Sequence, residues 1–313
     1  MSMRILVTEK KNLHEEAIEL LKSRGFRVDF AEPDLSGVDL RNYDALLIRT
    51  YTKVDRGVLV RAKKLKAVIR AGVGLDNIDL EECRKRNVKV YHSPGSNSNA
   101  VASHTIALMF AVLRRIAKAD RHVRDGKWER EEFLSHELDE KTIGIIGFGA
   151  IGRLVAKKLS GFDVDFLTYD PYLSEEQIDE AAGSMGVKGR VKKLDDLSEL
   201  IRKSDIITIH VPLMPETKYM IGEREFRIMK SHAIIINTSR GGVIKEKALI
   251  EQLTKERIYG AGLDVFEEEP LKDSELLKLH NVVLTPHTAS MTDKAHRNMS
   301  VQAVENFLKD FGK

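Results

Sequence analysis

A histidine near the end of the chain has the surroundings of an acid–base group. His287 lies in the segment Leu284–Ala289, directly after a predicted buried strand and a proline. Histidine suits both the removal and the return of a hydroxyl proton, because its ordinary pKa lies near neutrality. A carboxylate beside the ring would fix its tautomer, and Glu269, near the end of Gly262–Pro270, is the candidate.

An arginine completes a set that could act on a 2-hydroxy acid. Arg240, in Asn237–Gly242, follows another predicted strand and offers the forked donor that a substrate carboxylate needs. Carboxyl ends of parallel strands share one edge of a sheet, where open α/β sheets bind ligands. Each residue also has a structural alternative: His287 could be structural, Arg240 could bind a loop carbonyl, and Glu269 could belong to a solvated acidic run. Together they favour proton removal coupled to hydride transfer.

A glycine-rich turn predicts where the hydride acceptor binds. The predicted strand beginning at Thr142 runs into Gly147-Phe-Gly149-Ala-Ile-Gly152, and a helical pattern follows. Gly147 permits a tight turn, Gly149 lets the backbone approach a pyrophosphate, and Gly152 lets the helix pack closely on the strand. The N–H groups at the start of the helix would hold phosphate charge. This context predicts a dinucleotide site rather than an unliganded glycine turn.

An acid downstream of this turn selects the nucleotide. Asp170 ends the next predicted strand, 18 residues after the third glycine. A carboxylate there can accept hydrogen bonds from both ribose hydroxyls and would repel a 2′-phosphate, so NAD is favoured over NADP. The alternative is an ordinary turn residue before Pro171.

Short apolar runs alternate with helical patterns along the chain and predict two doubly wound parallel sheets. The first group of strands is Arg4–Thr8, Arg27–Ala31, Ala45–Arg49, Lys66–Arg70 and Lys89–Tyr91. The second group has six strands: Thr142–Gly147, Asp165–Tyr169, Ile206–His210, Ala233–Thr238, Gly260–Asp264 and Val282–Thr285. One uninterrupted helix over 99–125 is expected between them, and another over 292–311. The predicted domains are therefore 1–97 with 288–313 for substrate and 98–287 for the dinucleotide.

Bulk properties exclude several classes of protein. The 313 residues carry a net charge of only +3, with 51 basic against 48 acidic side chains, so no nucleic-acid surface is expected. The longest apolar run, 106–113, is far below the ~20 residues of a membrane span. The single cysteine, Cys83, excludes an internal disulfide and favours the cytoplasm. No cluster of histidine and acidic residues has metal-ligand spacing.

These motifs, in this order over essentially the whole chain, resemble the D-isomer-specific 2-hydroxyacid dehydrogenases. That resemblance implies that Arg240 binds the substrate carboxylate and that Glu269 pairs with the acid–base residue His287. It implies two domains, one flavodoxin-like for substrate and one Rossmann domain for NAD, joined by long helices, and a homodimer. The implied NAD contacts outside the glycine motif are Ile151, Asp170, Pro212, Thr217, Thr238 and Asp264.

Within the family, the chain most resembles the branch that oxidises D-3-phosphoglycerate, in a short form without the appended regulatory domain. The segments that carry this likeness are 70–77 and 125–130. They imply substrate binding by the N–H groups of Val73 and Gly74 and phosphate binding by Arg49, Arg70 and, from a neighbouring subunit, Arg130. The chain departs from the usual family pattern at Ser103 and in 288–292, which includes Met291, and neither departure removes a reacting group.

Other functions on the same scaffold stay open. Reduction of glyoxylate or hydroxypyruvate, or oxidation of D-lactate, would use the same reacting groups without a phosphate. A different class of function is an NAD-sensing scaffold or corepressor, which would bind the dinucleotide with negligible turnover. The presence of all three reacting residues counts against that alternative.

Overall fold

The computed structural model describes residues 2–312, which form two compact units. Unit 1 consists of the residues up to Asn97 together with those from Ser290 onward, and unit 2 is Ser98–Ala289. The chain passes from unit 2 back into unit 1 between Ala289 and Ser290, two residues beyond the predicted boundary at 287/288. The α/β fold class with two parallel sheets, predicted from the sequence, is confirmed.

Unit 1 is built on a five-stranded parallel sheet. Its strands are β1 (Arg4–Thr8), β2 (Arg27–Ala31), β3 (Ala45–Ile48), β4 (Ala67–Arg70) and β5 (Lys89–Tyr91). They lie in the order β2-β1-β3-β4-β5, the flavodoxin-like order. The helices of unit 1 are α1 (Glu15–Ser23), α2 (Arg56–Arg61), α3 (Leu80–Lys85) and, at the end of the chain, α11 (Asp293–Phe311).

Alternate residues of the strands in unit 1 face opposite helical layers. Ile5 packs on the side of α1 and α11, with Phe307 at the centre of that layer. Leu6 packs on the other side, with Leu59 of α2 and Cys83 of α3. Burial raises the pKa of the Cys83 thiol to about 11, so this cysteine is a core residue without thiolate chemistry near neutral pH.

Unit 2 is built on a seven-stranded parallel sheet. Its strands are β6 (Thr142–Ile146), β7 (Asp165–Tyr169), β8 (Val191–Lys193), β9 (Ile206–Ile209), β10 (Ile234–Asn237), β11 (Gly260–Leu263) and β12 (Val282–Leu284). They lie in the order β12-β11-β10-β9-β6-β7-β8, which reverses direction between β6 and β9 as in a Rossmann domain. The later helices of this unit are α6 (Ala150–Lys158), α7 (Glu175–Ser184), α8 (Leu197–Lys203), α9 (Glu223–Ile228) and α10 (Glu246–Thr254).

The prediction of six strands in this sheet was wrong by one. The missed strand, β8, pairs only with β7 at the edge of the sheet. It consists of Val-Lys-Lys, of which only Val191 is buried, so no apolar run marks it in the sequence. The other predicted strands differ from the observed ones by at most one residue at either end.

The single helix predicted over 99–125 is two helices, α4 (Ser98–Leu113) and α5 (Ile116–Arg124), bent by 62°. Arg115 lies at the bend with a left-handed backbone, φ 52°. Its guanidinium donates to the Tyr259 hydroxyl at 2.9 Å and to the Glu132 carbonyl at 3.2 Å. Because the segment contains neither glycine nor proline, these long-range contacts, which sequence periodicity cannot show, account for the break.

Close packing of α4 against the sheet depends on glycines in β11. A Cβ at Gly260 would lie 2.8 Å from Val112, and one at Gly262 would lie 3.1 Å from Leu108. No single helix between residues 2 and 312 has both the length and the apolar composition to cross a bilayer, although the bent pair α4–α5 would pass that test if counted as one span. Four short 3-10 helices complete the structure: Lys10–Asn12, Arg130–Phe133, Gly241–Val243 and Glu275–Lys278.

Candidate active site

His287 and Glu269 form a hydrogen-bonded pair at the carboxyl edge of the sheet in unit 2. The Nδ1–H of His287 donates to Oε2 of Glu269 over 2.7 Å. His287 has a left-handed backbone, φ 52°, and its N–H donates to the Asp264 carbonyl at 2.9 Å. Because Nδ1 is bonded to the carboxylate, Nε2 is the ring nitrogen left for a reacting proton.

The electrostatics of Glu269 favour its charged form. Burial acts to raise the pKa of this carboxyl, but the hydrogen bond and charge of His287, the Phe266 amide and the charge of Arg240 lower it below its ordinary value. The Phe266 N–H donates to Oε1 of Glu269 at 3.2 Å. The carboxylate is therefore available as an anionic partner for an imidazolium at neutral pH.

Arg240 is carried by a loop that packs directly against the loop of Glu269. A Cβ at Gly241 would lie 1.9 Å from the Phe266 carbonyl carbon, so only glycine allows the two loops to approach this closely. The side-chain amide of Asn237 donates to the Arg240 carbonyl at 2.8 Å. The Arg240 guanidinium donates to the Ser239 carbonyl at 2.7 Å, and its positive charge acts on the Glu269 carboxyl.

Asp264 holds the loop that carries His287. Its side chain is fully buried and accepts hydrogen bonds from the N–H groups of Thr288 and Ala289, both at 2.8 Å, and from the Thr285 hydroxyl at 2.5 Å. Burial acts to raise the pKa of Asp264, but hydrogen bonds from His104, Thr285 and these amides lower it overall. The NAD contact predicted for Asp264 stays a prediction.

His104 was missed by sequence reasoning. Its Nε2 lies 3.0 Å from the Thr285 hydroxyl and 3.5 Å from Oδ1 of Asp264. It lies on α4, 160 residues before Asp264 and 181 before Thr285, and a histidine in a helical pattern carries no signal of that kind. The sequence marked only its neighbour Ser103, which is exposed and donates its hydroxyl to the Asn99 carbonyl at 3.0 Å.

The glycine turn after β6 has the shape that a dinucleotide requires. Gly147 has φ 89°, and a Cβ there would lie 2.9 Å from the His210 carbonyl oxygen. A Cβ at Gly152 would lie 2.4 Å from the Gly147 oxygen, so the start of α6 packs tightly on the turn. Around Gly149 there is open space, which leaves room for a ligand beside the helix terminus and Ile151.

Asp170 is positioned beside that turn. Its Oδ2 accepts from the Phe148 N–H at 2.9 Å and its Oδ1 from the Tyr172 N–H at 3.0 Å. Each oxygen keeps a lone pair, and the residue is partly exposed, so it can accept from ribose hydroxyls. The residues present therefore fit NAD: open space at Gly149, helix N–H groups, and a fixed carboxylate.

Two further predicted NAD residues are bonded within the protein. The Thr217 hydroxyl donates to the Pro212 carbonyl at 2.6 Å and accepts from the Met214 N–H at 2.8 Å. The Thr238 hydroxyl lies 2.9 Å from that of Thr105. Both threonines are buried and shape the loops after β9 and β10. Their contacts with NAD, and that of the exposed Pro212, stay predictions.

The predicted substrate ligands of unit 1 lie at the ends of β3 and β4. Arg49 is 7% exposed, and its guanidinium contacts the Asn12 carbonyl and, at 3.6 Å, the sulfur of Met291. The guanidinium of Arg70 lies over Gly72, where a Cβ would be 1.4 Å from one of its nitrogens. Met291, a departure from the family pattern, thus adjoins a predicted phosphate ligand.

The loop after β4 offers backbone donors. Within residues 2–312, no protein acceptor is bonded to the N–H groups of Val73 or Gly74. The Val73 carbonyl is bonded to Nδ1 of His92 at 3.0 Å, which orients the loop. Arg130 lies exposed in the 3-10 helix Arg130–Phe133 of unit 2, and its predicted role in phosphate binding stays a prediction.

Residues 106–289 match the family model described as D-isomer specific 2-hydroxyacid dehydrogenase, NAD binding domain. This match covers more than half of the chain and spans the glycine turn, Asp170 and the three predicted reacting residues. The chain belongs to the D-isomer-specific 2-hydroxyacid dehydrogenase family. NAD is accordingly the cofactor of this domain, and Gly147, Gly149 and Gly152 form the turn that fits it.

The names of the relatives in this dehydrogenase family state different substrates, one a hydroxy acid and one an oxo acid. The chain is 42% identical over 311 residues to D-3-phosphoglycerate dehydrogenase of Methanocaldococcus jannaschii, covering 98% of this chain and 57% of that protein. It is 44% identical over 276 residues to glyoxylate reductase of Thermococcus litoralis, covering 86% of this chain and 81% of that protein. The chain thus spans little more than half of the phosphoglycerate dehydrogenase relative.

A solved structure supports the family fold. The TT0316 protein from Thermus thermophilus is 33% identical and superposes with a TM-score of 0.87, covering 98% of this chain and 96% of that one. Among residues 2–312, no group of three or more histidine, cysteine or acidic side chains is arranged to hold a metal ion. His287, Glu269 and Arg240 stay the predicted reacting groups.

Proposed function

We propose that this chain oxidises a D-2-hydroxy acid at C2 with NAD as the oxidant, and that D-3-phosphoglycerate, oxidised to 3-phosphohydroxypyruvate, is the substrate. Such a reaction would begin serine biosynthesis. The observation that carries the proposal is the 2.7 Å pair of His287 and Glu269, with the charge of Arg240 acting on the same carboxylate. This arrangement supplies an acid–base group and a cation at one sheet edge.

His287 is the base in this proposal. NAD, when bound, supplies the acceptor for the hydride that leaves C2. Nε2 of His287 takes the hydroxyl proton while Nδ1–H stays bonded to Glu269, whose negative charge stabilises the imidazolium that forms. In the reverse direction the imidazolium returns the proton. Arg240 holds the substrate carboxylate. The N–H groups of Val73 and Gly74 stay predicted substrate donors.

Arg49 supports a phosphorylated substrate. The hydrogen-bond contacts of its guanidinium among residues 2–312 are the Asn12 carbonyl and the Met291 sulfur, and the charge of Glu9 acts on this nearly buried cation. Burial of a cation is costly, and an anionic ligand would offset part of that cost. A preference for a phosphorylated substrate is also consistent with a second arginine, Arg70, at the end of the neighbouring strand. It agrees with the name of the Methanocaldococcus jannaschii relative as well.

A second candidate is reduction of glyoxylate or hydroxypyruvate. The 44% identity to a glyoxylate reductase favours it, because that relative is at least as similar in the region matched. This candidate needs Arg240, His287 and Glu269 but gives Arg49 no role. A third, from another class, is a dinucleotide-sensing scaffold or corepressor, which predicts NADH binding without turnover.

The experiment is steady-state kinetics on matched substrates. D-3-Phosphoglycerate and D-glycerate differ only in the phosphate, and D-lactate, glyoxylate and hydroxypyruvate complete the panel. We expect His287→Ala to lower kcat by about 10²- to 10⁴-fold and Arg240→Ala to lower kcat/KM by at least about 100-fold. Arg49→Ala should lower the ratio of kcat/KM for D-3-phosphoglycerate to that for D-glycerate by about 10- to 100-fold.

The outcomes separate the candidates. Near-normal kcat in both the His287 and Arg240 variants would remove the mechanism. A wild-type enzyme that reduces glyoxylate efficiently and shows no preference for the phosphorylated acid would favour the second candidate. NADH binding in calorimetry with no turnover of any panel member would favour the third.

A homodimer is also part of the proposal. Its support is a group of exposed large apolar side chains in the segment 116–134: Ile116, Val123, Trp128 and Leu134. Exposed apolar surface of this kind is typical of a contact with another chain. The cytoplasm, favoured by the single cysteine, stays the proposed compartment.

A further inference from the structure

The carboxylate of Glu9 is surrounded by the backbone of the segment Arg49–Thr52, which we call the β3 loop. Oε1 accepts from the N–H groups of Arg49 at 3.1 Å, Tyr51 at 3.1 Å and Thr52 at 2.9 Å. It also accepts from the Thr52 hydroxyl at 3.0 Å, and Oε2 accepts from the Thr50 N–H at 3.1 Å. One buried side chain thus binds every amide of the loop.

The opposite side of the β3 loop is held by Asn77. Its side-chain amide donates to the Arg49 carbonyl at 2.8 Å and to the Thr52 carbonyl at 2.7 Å. The Asn77 carbonyl in turn accepts from the Val54 N–H at 2.8 Å. The donors of the loop are therefore bonded to Glu9, and its first and last carbonyls are bonded to Asn77.

Glu9 is itself held in an uncommon conformation. It is 5% exposed and has a left-handed backbone, φ 54°, directly after β1. Left-handed backbone in a residue other than glycine costs free energy and persists where the surroundings over-determine it. The five hydrogen bonds to the Glu9 carboxylate can hold this backbone conformation, because hydrogen bonds to a charged group are stronger than those between neutral groups.

The hydrogen bonds of Glu9 go to the β3 loop, although its charge also acts on the neighbouring guanidinium. The guanidinium of Arg49 contacts the Asn12 carbonyl and the Met291 sulfur instead. Glu9 thus holds the loop by hydrogen bonds, while the guanidinium of Arg49 keeps N–H donors for a ligand. A Glu9–Arg49 ion pair would have fixed the loop and neutralised the cation at once.

We propose that Glu9 is a positioning residue for substrate selection, which sets the β3 loop so that Arg49 can bind the phosphate of a phosphorylated 2-hydroxy acid. The inference rests on the proposed function. Asn77 acts in the same way from the other side of the loop. Neither residue is placed at the reacting atoms, so their effect belongs in the binding of the phosphate and not in the hydride step.

The test compares D-3-phosphoglycerate with D-glycerate in four variants. Glu9→Gln puts an amide NH₂ where one oxygen now accepts, which opposes an N–H donor of the loop and removes the charge. Asn77→Ala removes both carbonyl contacts. Glu19→Gln, at an exposed position of α1, is the matched control, and Arg49→Ala reports the phosphate contact itself.

We expect Glu9→Gln and Asn77→Ala each to raise KM for D-3-phosphoglycerate at least fivefold with kcat within about twofold of wild type. The selectivity ratio for the phosphorylated acid should fall at least fivefold, and Glu19→Gln should leave it unchanged. Circular dichroism and thermal melting identify a variant that does not fold. If Glu9→Gln does not fold, Asn77→Ala measures the same effect.

Equal losses on both substrates in Glu9→Gln and Asn77→Ala would overturn the inference, because they would show a purely structural role. So would an unchanged ratio in both variants while Arg49→Ala lowers it; that result leaves the proposed function standing. A wild-type enzyme without preference for the phosphorylated acid would overturn both together.

Discussion

The backbone of His287 and one neighbouring side chain orient its ring for the proton transfer that we propose. Its left-handed φ of 52° follows a proline, and its N–H is bonded to the Asp264 carbonyl. The ring then meets Glu269 at 2.7 Å. Because the carboxylate takes Nδ1–H, the tautomer is set before any substrate binds, and the pair would need no reorganisation in the proposed reaction.

Removing the charge of Glu269 should slow the chemical step. We expect Glu269→Gln to lower kcat by about 10- to 100-fold with little change in KM, since the amide oxygen can accept from Nδ1–H but cannot stabilise an imidazolium by charge. Glu268→Gln, the adjacent exposed position, is the control. Equal kcat in the two variants would show that the charge of Glu269 is not used.

The pH dependence of that effect has a definite sign. The pKa of Glu269 is lowered, so its carboxylate is charged at neutral pH and the charged partner is lost only as the pH falls through that lowered value. The wild-type to Glu269→Gln ratio of kcat should therefore be largest near neutrality and shrink on acidification. A ratio that grows as the pH falls would contradict this assignment.

At the scale of elements, three consecutive loops after β10, β11 and β12 bring the reacting groups together. Gly241 lets the first of these loops touch the second, and Asp264 on the second binds the third through Thr288 and Ala289. The loops thus form one connected unit on a rigid sheet. Sites built on such a scaffold hold their groups within the narrow tolerances that catalysis needs.

The start of α6 depends on the absence of a side chain at Gly152. In Gly152→Ala the new Cβ would meet the Gly147 oxygen at 2.4 Å, so the helix terminus must shift. We expect the free energy of unfolding to fall by about 1–3 kcal/mol and the Kd for NADH to rise at least about tenfold. Urea unfolding and NADH fluorescence titration measure the two effects.

Gly183→Ala is a matched control in another helix of the same unit. A Cβ there meets only Lys188, at 3.9 Å, so the substitution should stabilise the protein by about 0.5–1 kcal/mol and leave NADH affinity unchanged. If both variants bound NADH like wild type, the close approach of α6 to the glycine turn would have no part in dinucleotide binding.

At the scale of the whole molecule, the segment 116–134 leaves large apolar side chains exposed, and the homodimer would cover them. Trp128 and Tyr172 are each 75% exposed, but only Trp128 belongs to this group. We expect Trp128→Lys to raise the dimer dissociation constant at least about tenfold and Tyr172→Lys to leave it unchanged. Sedimentation velocity over a concentration series measures both; a monomeric wild type, or equal behaviour of the variants, would contradict the proposal.

Features of the fold could be predicted where their cause lies in neighbouring residues, and not where it lies in contacts between residues distant in the sequence. Continuous apolar runs determined the two parallel sheets and most strand ends, because buried strands need them locally. β8 was not predicted because an edge strand with one buried residue has no continuous apolar run. The bend at Arg115 was not predicted because its partners, Glu132 and Tyr259, are distant in the sequence.

The sequence by itself determined the α/β class, the family and the glycine turn, since periodicity and spacing within about 20 residues carry those features. Only the tertiary structure decided three contacts. Asp264 accepts hydrogen bonds from the loop of His287, His104 contacts the same loop, and Glu9 organises the β3 loop. Such contacts join residues 24 to 181 positions apart. Their energy comes from burial and from hydrogen-bond partners that a linear pattern does not bring together.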